Sequence, residues 1–271
     1  MRTITLNNGV TMPQLGFGVF QVSIEDTYDA VGEALRVGYR SIDTAAAYRN
    51  EEPVGRAIAD SPVPRDDVFV TTKLWNSDQG YDEALRAFDE SADRLGLDRV
   101  DLYLVHWPAP AQDRYVDTWR ALGKLLADGR VRAIGVSNFQ PAHLERIIAA
   151  TGEVPAVNQV ELHPRLQQPD LRAFHARHGI VTEAWSPLAQ GALLHDPVVT
   201  DIAAKHGRTP AQVVLRWHVQ LGNVVIPKSV TPSRIAENFA VFDFELDGAD
   251  LGRIAQLDRG ERTGPDPDAF G

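Results

Sequence analysis

Asp43, Tyr48, Lys73 and His106 carry the chemistry of proton transfer and recur close to the ends of strand-like segments. Asp43 and His106 each end an apolar segment, and Lys73 lies one residue before the end of another. Tyr48 follows Asp43 by five residues, in a stretch too irregular for either strand or helix. In a barrel of parallel strands the carboxyl ends share one rim, so we expect these four side chains to meet there.

Together the four groups would form a proton donor positioned next to the carbonyl oxygen of a substrate. A charge so near the inside of an apolar strand is costly unless paired, so Asp43 and Lys73 are expected to pair. A phenol ionises near pH ~10, and we expect the Lys73 ammonium to lower the pKa of Tyr48 while Asp43 holds Lys73 in place. His106 would orient or polarise a substrate oxygen. A hydride arriving at that carbonyl must come from a cofactor, because no side chain supplies one.

A second group of polar residues follows the last strand-like segment, in "VVIPKSVTPSRIAENF". Lys228 and Ser229 close the strand, Thr231-Pro232 opens a helix, and Arg234 falls in its first turn. Phosphate sites of barrels often form from the last loops and a helix N-terminus. Two cations close together in an acidic chain indicate that this segment binds a phosphate group. The 2′-phosphate of an adenosine would fit such a site.

Eight short apolar segments rich in Val, Ile and Leu are typical of parallel strands covered on both faces. We predict strands at 14–20, 39–43, 68–74, 100–106, 131–137, 156–161, 180–186 and 224–229. Helical spacing or capping residues appear between them, and we predict helices at 25–38, 82–95, 197–206 and 209–222. In the second of these, Leu85, Phe88, Ala92 and Leu95 share one face.

The alternation of eight strands with helices predicts an α/β protein, a (β/α)8 TIM barrel in which an N-terminal β-hairpin precedes the barrel. The hairpin, within residues 1–13, turns at Asn8-Gly9. A doubly wound sheet is the main competitor, but it would carry G-x-G-x-x-G after its first strand, which "GFGVFQ" does not complete. No linker divides the chain, so we predict a single domain over 1–271 with a turn-rich tail at 260–271.

Composition excludes several classes of protein. The 271 residues include 27 Lys and Arg against 37 Asp and Glu, a formal charge of −10, which argues against a nucleic-acid partner or an anionic membrane surface. There is no cysteine for disulfides or Cys-based metal sites. No apolar run approaches the ~18–20 residues needed to span a bilayer, and the first residues lack the apolar core of a signal peptide. We expect a cytoplasmic protein, and nothing demands more than a monomer.

At these motifs the chain resembles the aldo-keto reductases. The resemblance is carried by "IDTAAAYRNEEPVG", "TTKLW", "DLYLVHWP", "IGVSNF", "VNQVELHP" and "IPKSVTPSRIAENF", and it extends from about residue 4 to the C-terminus. With the tail "RTGPDPDAF", the chain looks most like the bacterial branch that includes 2,5-diketo-D-gluconic acid reductases. The resemblance implies NADPH-dependent reduction of aldehydes and ketones by the tetrad Asp43, Tyr48, Lys73 and His106, with Tyr48 as proton donor.

The same resemblance implies roles for the cofactor and substrate residues. Ser137, Asn138 and Gln159 would hold the nicotinamide carboxamide, and Trp185, where many members carry Tyr, would stack on the ring. Ser186, Leu188 and Gln190 would line the pyrophosphate. The adenosine end would be bound through Lys228, Ser229, Val230 and Arg234 at the 2′-phosphate and through Glu237 and Asn238 at the adenine. The substrate pocket would be walled by Phe20, Trp75, His106 and Trp107.

Other interpretations remain open from the residues alone. A non-catalytic NADP(H) sensor or scaffold would keep the barrel but not turnover. A Schiff-base lyase would use Lys73, although Asp43 should keep that amine protonated. The Asp43–Lys73 pair by itself is compatible with a structural ion pair. Keto-sugar acids, α-dicarbonyls such as methylglyoxal and small aldehydes all remain candidate substrates.

Several remaining residues have structural interpretations. His175 and His178 are expected at the surface, without a metal, because no third ligand completes a site. His163, before a proline, is expected to be structural. Gly16 and Gly18 permit either close packing or close approach of a cofactor.

Overall fold

An eight-stranded parallel sheet organises the protein, whose computed structural model describes residues 2–271. An antiparallel hairpin precedes the sheet and consists of β1 (Thr3–Thr5) and β2 (Thr11–Pro13). The parallel strands, hydrogen-bonded in sequence order, are β3 (Phe17–Gly18), β4 (Ser41–Asp43), β5 (Phe69–Leu74), β6 (Val100–Val105), β7 (Val131–Ser137), β8 (Val157–Glu161), β9 (Val181–Trp185) and β10 (Val224–Val225). The predicted α/β class, parallel strands and hairpin are confirmed.

The sheet curls until its first and last strands meet. A parallel bridge joins Leu15, before β3, to Val225 of β10. The Gly16 N–H donates to the Val225 carbonyl at 2.9 Å, and the Gly18 N–H donates to the Pro227 carbonyl at 3.1 Å. The outermost strands are shorter than predicted at 14–20 and 224–229. Pro227 has no N–H to donate, so the regular ladder cannot continue through it.

Helices lie between successive strands and cover the outside of the sheet. The ten found among residues 2–271 are α1 (Ile24–Val37), α2 (Glu51–Ala59), α3 (Tyr81–Leu95), α4 (Tyr115–Ala127), α5 (Pro141–Thr151), α6 (Pro169–His178), α7 (Pro197–His206), α8 (Pro210–Gln220), α9 (Pro232–Phe239) and α10 (Gly248–Ala255). The four helices predicted with both ends are confirmed as α1, α3, α7 and α8, and the helix predicted to open at Thr231-Pro232 is α9. None of the ten is both long and apolar enough to cross a membrane.

The hairpin closes the end of the sheet where the strands begin. Met12 is fully buried in an apolar cluster with Leu6, and strand residues such as Leu102, Leu104 and Val157 belong to the same cluster. The apolar side chains that pack there remove hydrocarbon surface from water. The opposite end, where the strands finish, is therefore the one available for chemistry.

Glycine allows the first strand to lie against the last. A Cβ at Gly16 would approach Ile226 Cγ2 to 3.0 Å and the Ser41 hydroxyl to 3.1 Å. At Gly18 it would lie 3.3 Å from the Ile226 carbonyl oxygen. Close packing therefore accounts for Gly16, whereas Gly18 both packs closely and lines the main cavity.

The prediction that His175 is a surface residue is wrong. His175 is 1% exposed and accepts a hydrogen bond at Nε2 from the Asn158 amide, 2.9 Å away, while Nδ1 lies 2.9 Å from the Thr182 hydroxyl. Burial lowers the pKa of His175 to about 4, so it is a neutral link between strands and helix. His178 is exposed as expected and stacks on Phe174 at 4.1 Å between ring centroids.

Capping of α8 offers a test of how the last helices are held. The Thr209 hydroxyl accepts a hydrogen bond from the Gln212 N–H and donates to Glu237 Oε1 of α9 at 2.9 Å. We expect Thr209→Ala to lower the free energy of unfolding by about 1–2 kcal/mol, as for other lost caps. Urea unfolding would measure it, with Thr209→Ser as the control that keeps the hydroxyl. Equal stability of the Ala and Ser variants would contradict the assignment.

Candidate active site

A cavity of about 870 Å³ opens where the parallel strands end. It brings together most of the predicted site residues: Phe20, Asp43, Tyr48, Trp75, His106, Trp107, Ser137, Asn138, Gln159, Trp185, Ser186, Gln190 and Lys228. Pockets at the carboxyl ends of parallel strands are the usual place for ligands in such folds. Three of the four predicted catalytic residues and all the predicted substrate residues therefore share one space with a large part of the predicted cofactor site, and Lys73 is buried behind the cavity wall.

Lys73 lies at the centre of the predicted tetrad. Its Nζ donates to Asp43 Oδ1 at 2.6 Å, to the Thr44 carbonyl at 2.9 Å and to the Tyr48 hydroxyl at 3.4 Å. Lys73 is fully buried and Asp43 is 2% exposed. Each of the three ammonium hydrogens therefore has an acceptor, and the buried charge is paired.

Local structure brings Tyr48 back toward the strand ends. Residues Ala46–Tyr48 form one turn of 3₁₀ helix, which corrects the prediction of a wholly irregular stretch. Arg49 then adopts a left-handed conformation, and Asn50 fastens the loop by donating to the Val19 carbonyl at 3.0 Å. The Tyr48 ring packs beside Phe20, with 5.0 Å between ring centroids. A short loop, fixed by the Asn50 hydrogen bond, thus holds the Tyr48 phenol over Lys73.

Burial changes the expected ionisation of the phenol. We expected Lys73 to lower the pKa of Tyr48, but burial raises that pKa, Lys73 opposes the rise, and Asp43 adds to it, so the pKa lies above its ordinary value. Burial alone would lower the pKa of Lys73, yet Asp43 and Tyr48 leave it raised. At neutral pH the site therefore holds a neutral phenol beside a firmly protonated ammonium.

His106 is a neutral imidazole on the cavity wall. Its ring lies 5.6 Å from that of Tyr48 and 5.1 Å from that of Trp75, between centroids. Burial lowers its pKa well below the usual value, and the charge of Lys73 lowers it further. An uncharged imidazole can orient a substrate oxygen by a hydrogen bond without adding a second cation to the site.

A hydrogen-bonded group of polar residues adjoins the tetrad. Ser137 Oγ donates to the main-chain carbonyl of Gln159 at 2.8 Å, and Asn138 Nδ2 donates to the main-chain carbonyl of His106 at 3.0 Å. Trp185 Nε1 donates to Asn138 Oδ1 at 2.8 Å, which fixes the indole at the edge of the cavity. Amide groups beside a flat aromatic ring suit a planar ligand that carries a carboxamide.

Lys228 lies between β10 and α9, and Arg234 lies in the first turn of α9, which starts at Pro232 as predicted. Lys228 lines the main cavity, both side chains are exposed, and neither forms an ion pair within residues 2–271. Ser229 accepts from the Thr231 N–H at 3.1 Å. Six predicted cofactor residues do not line the cavity: Leu188, Ser229, Val230, Arg234, Glu237 and Asn238. Glu237 instead accepts a hydrogen bond from Thr209 Oγ1.

The C-terminal tail supplies a cavity wall that the sequence did not predict. Thr263, Gly264, Pro265 and Phe270 all line the cavity. Phe270 packs on Trp107 at 4.6 Å between ring centroids, and the Thr263 N–H donates to the buried Glu161 carboxylate. The only sequence signal was an isolated aromatic residue in a turn-rich tail, which has no periodicity to place it.

Among residues 2–271 there is no cluster of three or more His, Asp or Glu side chains that could hold a metal ion. The cavity wall offers amide groups and the Lys228 ammonium, which suit an organic ligand with a carboxamide at one end and a phosphate at the other.

Known proteins similar to this chain agree with these features. Residues 14–259 match the model of the Aldo/keto reductase family. An aldo-keto reductase of Mycolicibacterium smegmatis is 63% identical over 267 residues, or 98% of this chain and 97% of that protein. Methylglyoxal reductase DkgA of Salmonella typhimurium is 56% identical over 270 residues, or 99% and 98%. A Gox0644 variant in complex with NADPH is 53% identical, with a TM-score of 0.96 and coverage of 100% and 98%.

The ionisation of His106 can be measured directly. Because burial and the charge of Lys73 both disfavour the imidazolium, we expect the His106 ring to stay neutral at the pH where an ordinary histidine gains its proton. The protonation of His106 would be followed through the Cε1–H chemical shifts in an NMR titration. The exposed His178 serves as an internal comparison, and the His106→Gln variant assigns the signal. An inflection for His106 near the ordinary value would contradict the described environment.

Proposed function

Because the chain belongs to the aldo/keto reductase family, we propose that it reduces keto-sugar acids, α-dicarbonyls or small aldehydes to alcohols, with Tyr48 as the proton donor. The protein is an NADPH-dependent oxidoreductase, as the family match, the methylglyoxal reductase relatives and the NADPH-bound Gox0644 structure together support. The residue roles and the substrate class are the parts that we propose.

One observation carries the proposal. A fully buried ammonium, that of Lys73, contacts both the Asp43 carboxylate at 2.6 Å and the Tyr48 hydroxyl at 3.4 Å, beside an aromatic-lined cavity. A structural ion pair needs no phenol, and a lyase needs a neutral amine. The raised pKa of Lys73 keeps that amine charged, which disfavours the Schiff-base alternative.

NADPH, when bound, supplies the hydride that goes to the carbonyl carbon. The protein must then deliver a proton to the carbonyl oxygen. We assign this step to the Tyr48 hydroxyl: its O–H bond breaks, the proton joins the developing alkoxide, and the alcohol forms. His106, neutral, would hold the carbonyl oxygen by a hydrogen bond next to Tyr48. Solvent would later return a proton to Tyr48.

The raised pKa of Tyr48 is compatible with this role. A phenol must be protonated to donate, and a high pKa keeps it so throughout the neutral range. An alkoxide is a stronger base than a phenolate, so the transfer is downhill once the hydride has moved. The role of Lys73 is then to stabilise the phenolate that is left, rather than to acidify the resting phenol.

The residues present fit the dinucleotide. Gln159, Asn138 and Ser137 would bind the nicotinamide carboxamide, and Trp185 would stack on its ring. Lys228 and Arg234, with no carboxylate partner of their own within the described chain, would bind the 2′-phosphate at the beginning of α9. The pyrophosphate would be lined by Ser186, Leu188 and Gln190. The adenosine end would be surrounded by Ser229, Val230, Glu237 and Asn238.

A pocket walled by Phe20, Trp75, Trp107 and Phe270 supports small or flexible carbonyl substrates. Its apolar surface binds hydrocarbon parts, while the tetrad fixes the carbonyl. The relative DkgA is named a methylglyoxal reductase, which favours α-dicarbonyls among the candidates. An NADPH-consumption screen across keto-sugars, α-dicarbonyls and aromatic aldehydes would rank the substrates.

We also propose that the curled sheet is a closed (β/α)8 barrel and that the chain is a single domain acting as a monomer in the cytoplasm. The bridge between Leu15 and Val225 supports closure, since it joins the two ends of the sheet.

Replacing Tyr48 by Phe tests the proton donor. Phe keeps the ring but has no proton to give, so we expect kcat for methylglyoxal reduction to fall by about a thousandfold or more. The Kd for NADPH, measured by fluorescence titration, should change less than about threefold. Tyr28→Phe, outside the cavity, is the matched control. Turnover of Tyr48→Phe at the wild-type rate would refute the mechanism.

Replacing Arg234 by Ala tests the 2′-phosphate site. Loss of one cation at a phosphate should weaken NADPH binding by about ten- to a hundredfold, while NADH, which lacks that phosphate, should lose less than about threefold. Fluorescence titration gives the ratio of the variant Kd to the wild-type Kd for each cofactor. Arg259→Ala provides a control at another exposed arginine. Equal losses for NADPH and NADH would show that Arg234 does not bind the 2′-phosphate.

A further inference from the structure

A second carboxyl group lies buried beneath the tetrad. Glu183 is the third residue of β9 and is fully buried, although it stands in the middle of the apolar segment "IVTEAWS". Side chains alternate along a strand, so Glu183 points to the same side of the sheet as Trp185, one layer closer to the hairpin. A buried carboxyl so near an ion pair needs a physical reason.

Gln159 connects Glu183 to the tetrad. Its Nε2 donates to Asp43 Oδ2 at 2.8 Å and to Glu183 Oε2 at 3.0 Å. A glutamine amide has two N–H donors, and both are occupied by these carboxyl groups. Gln159, which lines the cavity, therefore has only its carbonyl oxygen to offer a ligand. The N–H of a carboxamide is the complementary donor.

The charges around Glu183 favour its neutral form. The ionisable groups that act on it are Asp43, Lys73 and Tyr48, and the single ammonium is already paired with Asp43. Glu183 Oε1 has no hydrogen-bond partner within residues 2–271. Burial and the neighbouring Asp43 raise the pKa of Glu183 to about 8. At neutral pH the interior then holds one carboxylate, one ammonium and one neutral acid.

We propose that Glu183 is a positioning residue for the nicotinamide, because it fixes the Gln159 amide with its carbonyl oxygen toward the cofactor and places an ionisable carboxyl one layer below Trp185. This inference rests on the proposed function, in which Gln159 and Trp185 hold the nicotinamide. Loss of the Glu183 proton introduces a negative charge under that ring. The oxidised nicotinamide is cationic and the reduced one is neutral, so the charge favours NADP+ over NADPH.

The first experiment measures cofactor affinities as a function of pH. We expect Kd(NADP+)/Kd(NADPH) of the wild type to fall about tenfold between about pH 6.5 and about pH 9.5, as the carboxyl ionises. Both cofactors carry the same phosphates, whose titration cancels in the ratio. In Glu183→Gln, which keeps an acceptor for Gln159 but cannot ionise, the ratio should stay within about twofold. A ratio with the same pH dependence in both proteins, or none in the wild type, would overturn the proposal.

The second experiment separates orientation of Gln159 from simple packing. Glu183→Leu removes the acceptor, so NADPH should bind about tenfold more weakly. The reduced 3-acetylpyridine analogue of NADPH has no N–H for Gln159 to accept, and its affinity should change less than about twofold. Glu183→Gln should bind both like the wild type. Equal weakening of NADPH and the analogue would mean that Glu183 does not act through the carboxamide.

Thermal unfolding provides a readout that is independent of ligands and shows whether the variants fold. A carboxyl whose folded-state pKa is raised stabilises the fold fully below its unfolded pKa and loses that contribution as pH rises to about 8. The melting temperature of the wild type should therefore fall relative to that of Glu183→Gln between about pH 5 and about pH 8. A difference in melting temperature between the two proteins that does not change with pH would contradict a neutral Glu183 carboxyl. None of these readouts uses turnover, so they stand apart from the Tyr48→Phe result.

Discussion

The buried pair of Lys73 and Asp43 is the interaction on which the rest of the site depends. Two opposite charges without exposure to water are stable only when each has good partners, and removal of either leaves a charge whose burial costs about 3–5 kcal/mol. The pair is joined by Thr44, Tyr48 and Gln159, which together satisfy the remaining hydrogens and lone pairs. The requirement to satisfy one buried ammonium therefore fixes the phenol, the amide and the carboxylate relative to one another.

That constraint also explains the electrostatics of the cavity. With one cation already present, His106 stays neutral and can only orient an oxygen. Burial keeps Tyr48 protonated, as the proposed proton donor must be, and Lys73 lies beside it, where it would stabilise the phenolate left by that transfer. Glu183 completes this balance, because a second carboxylate in the same interior would leave a negative charge unpaired. The protonation states of Tyr48, Lys73, His106 and Glu183 are thus consequences of one crowded, low-dielectric interior.

The two ends of the sheet divide stability from chemistry. At one end the hairpin packs Met12 against the starts of the strands in an apolar cluster. At the other, strand ends, a 3₁₀ turn and the C-terminal tail surround a polar cavity. The tail is held there by Glu161, which accepts from Thr263 and Gly264 and lies only two residues along β8 from Gln159. β8 therefore contributes both Gln159, which lines the cavity, and Glu161, which holds the tail.

The sequence by itself determined the strand and helix order, the capping of α8, the pairing of Asp43 with Lys73 and the rim that gathers the predicted tetrad. Apolar periodicity, caps and the cost of an unpaired buried charge are local or pairwise effects, and they can be followed along the chain. The direction of the Tyr48 pKa shift, the burial of His175, the wall formed by Phe270 and the place of Glu183 beneath Trp185 were decided only by the tertiary structure. Each depends on how much water is excluded and on which distant groups surround a side chain, and neither quantity is carried by spacing in the sequence.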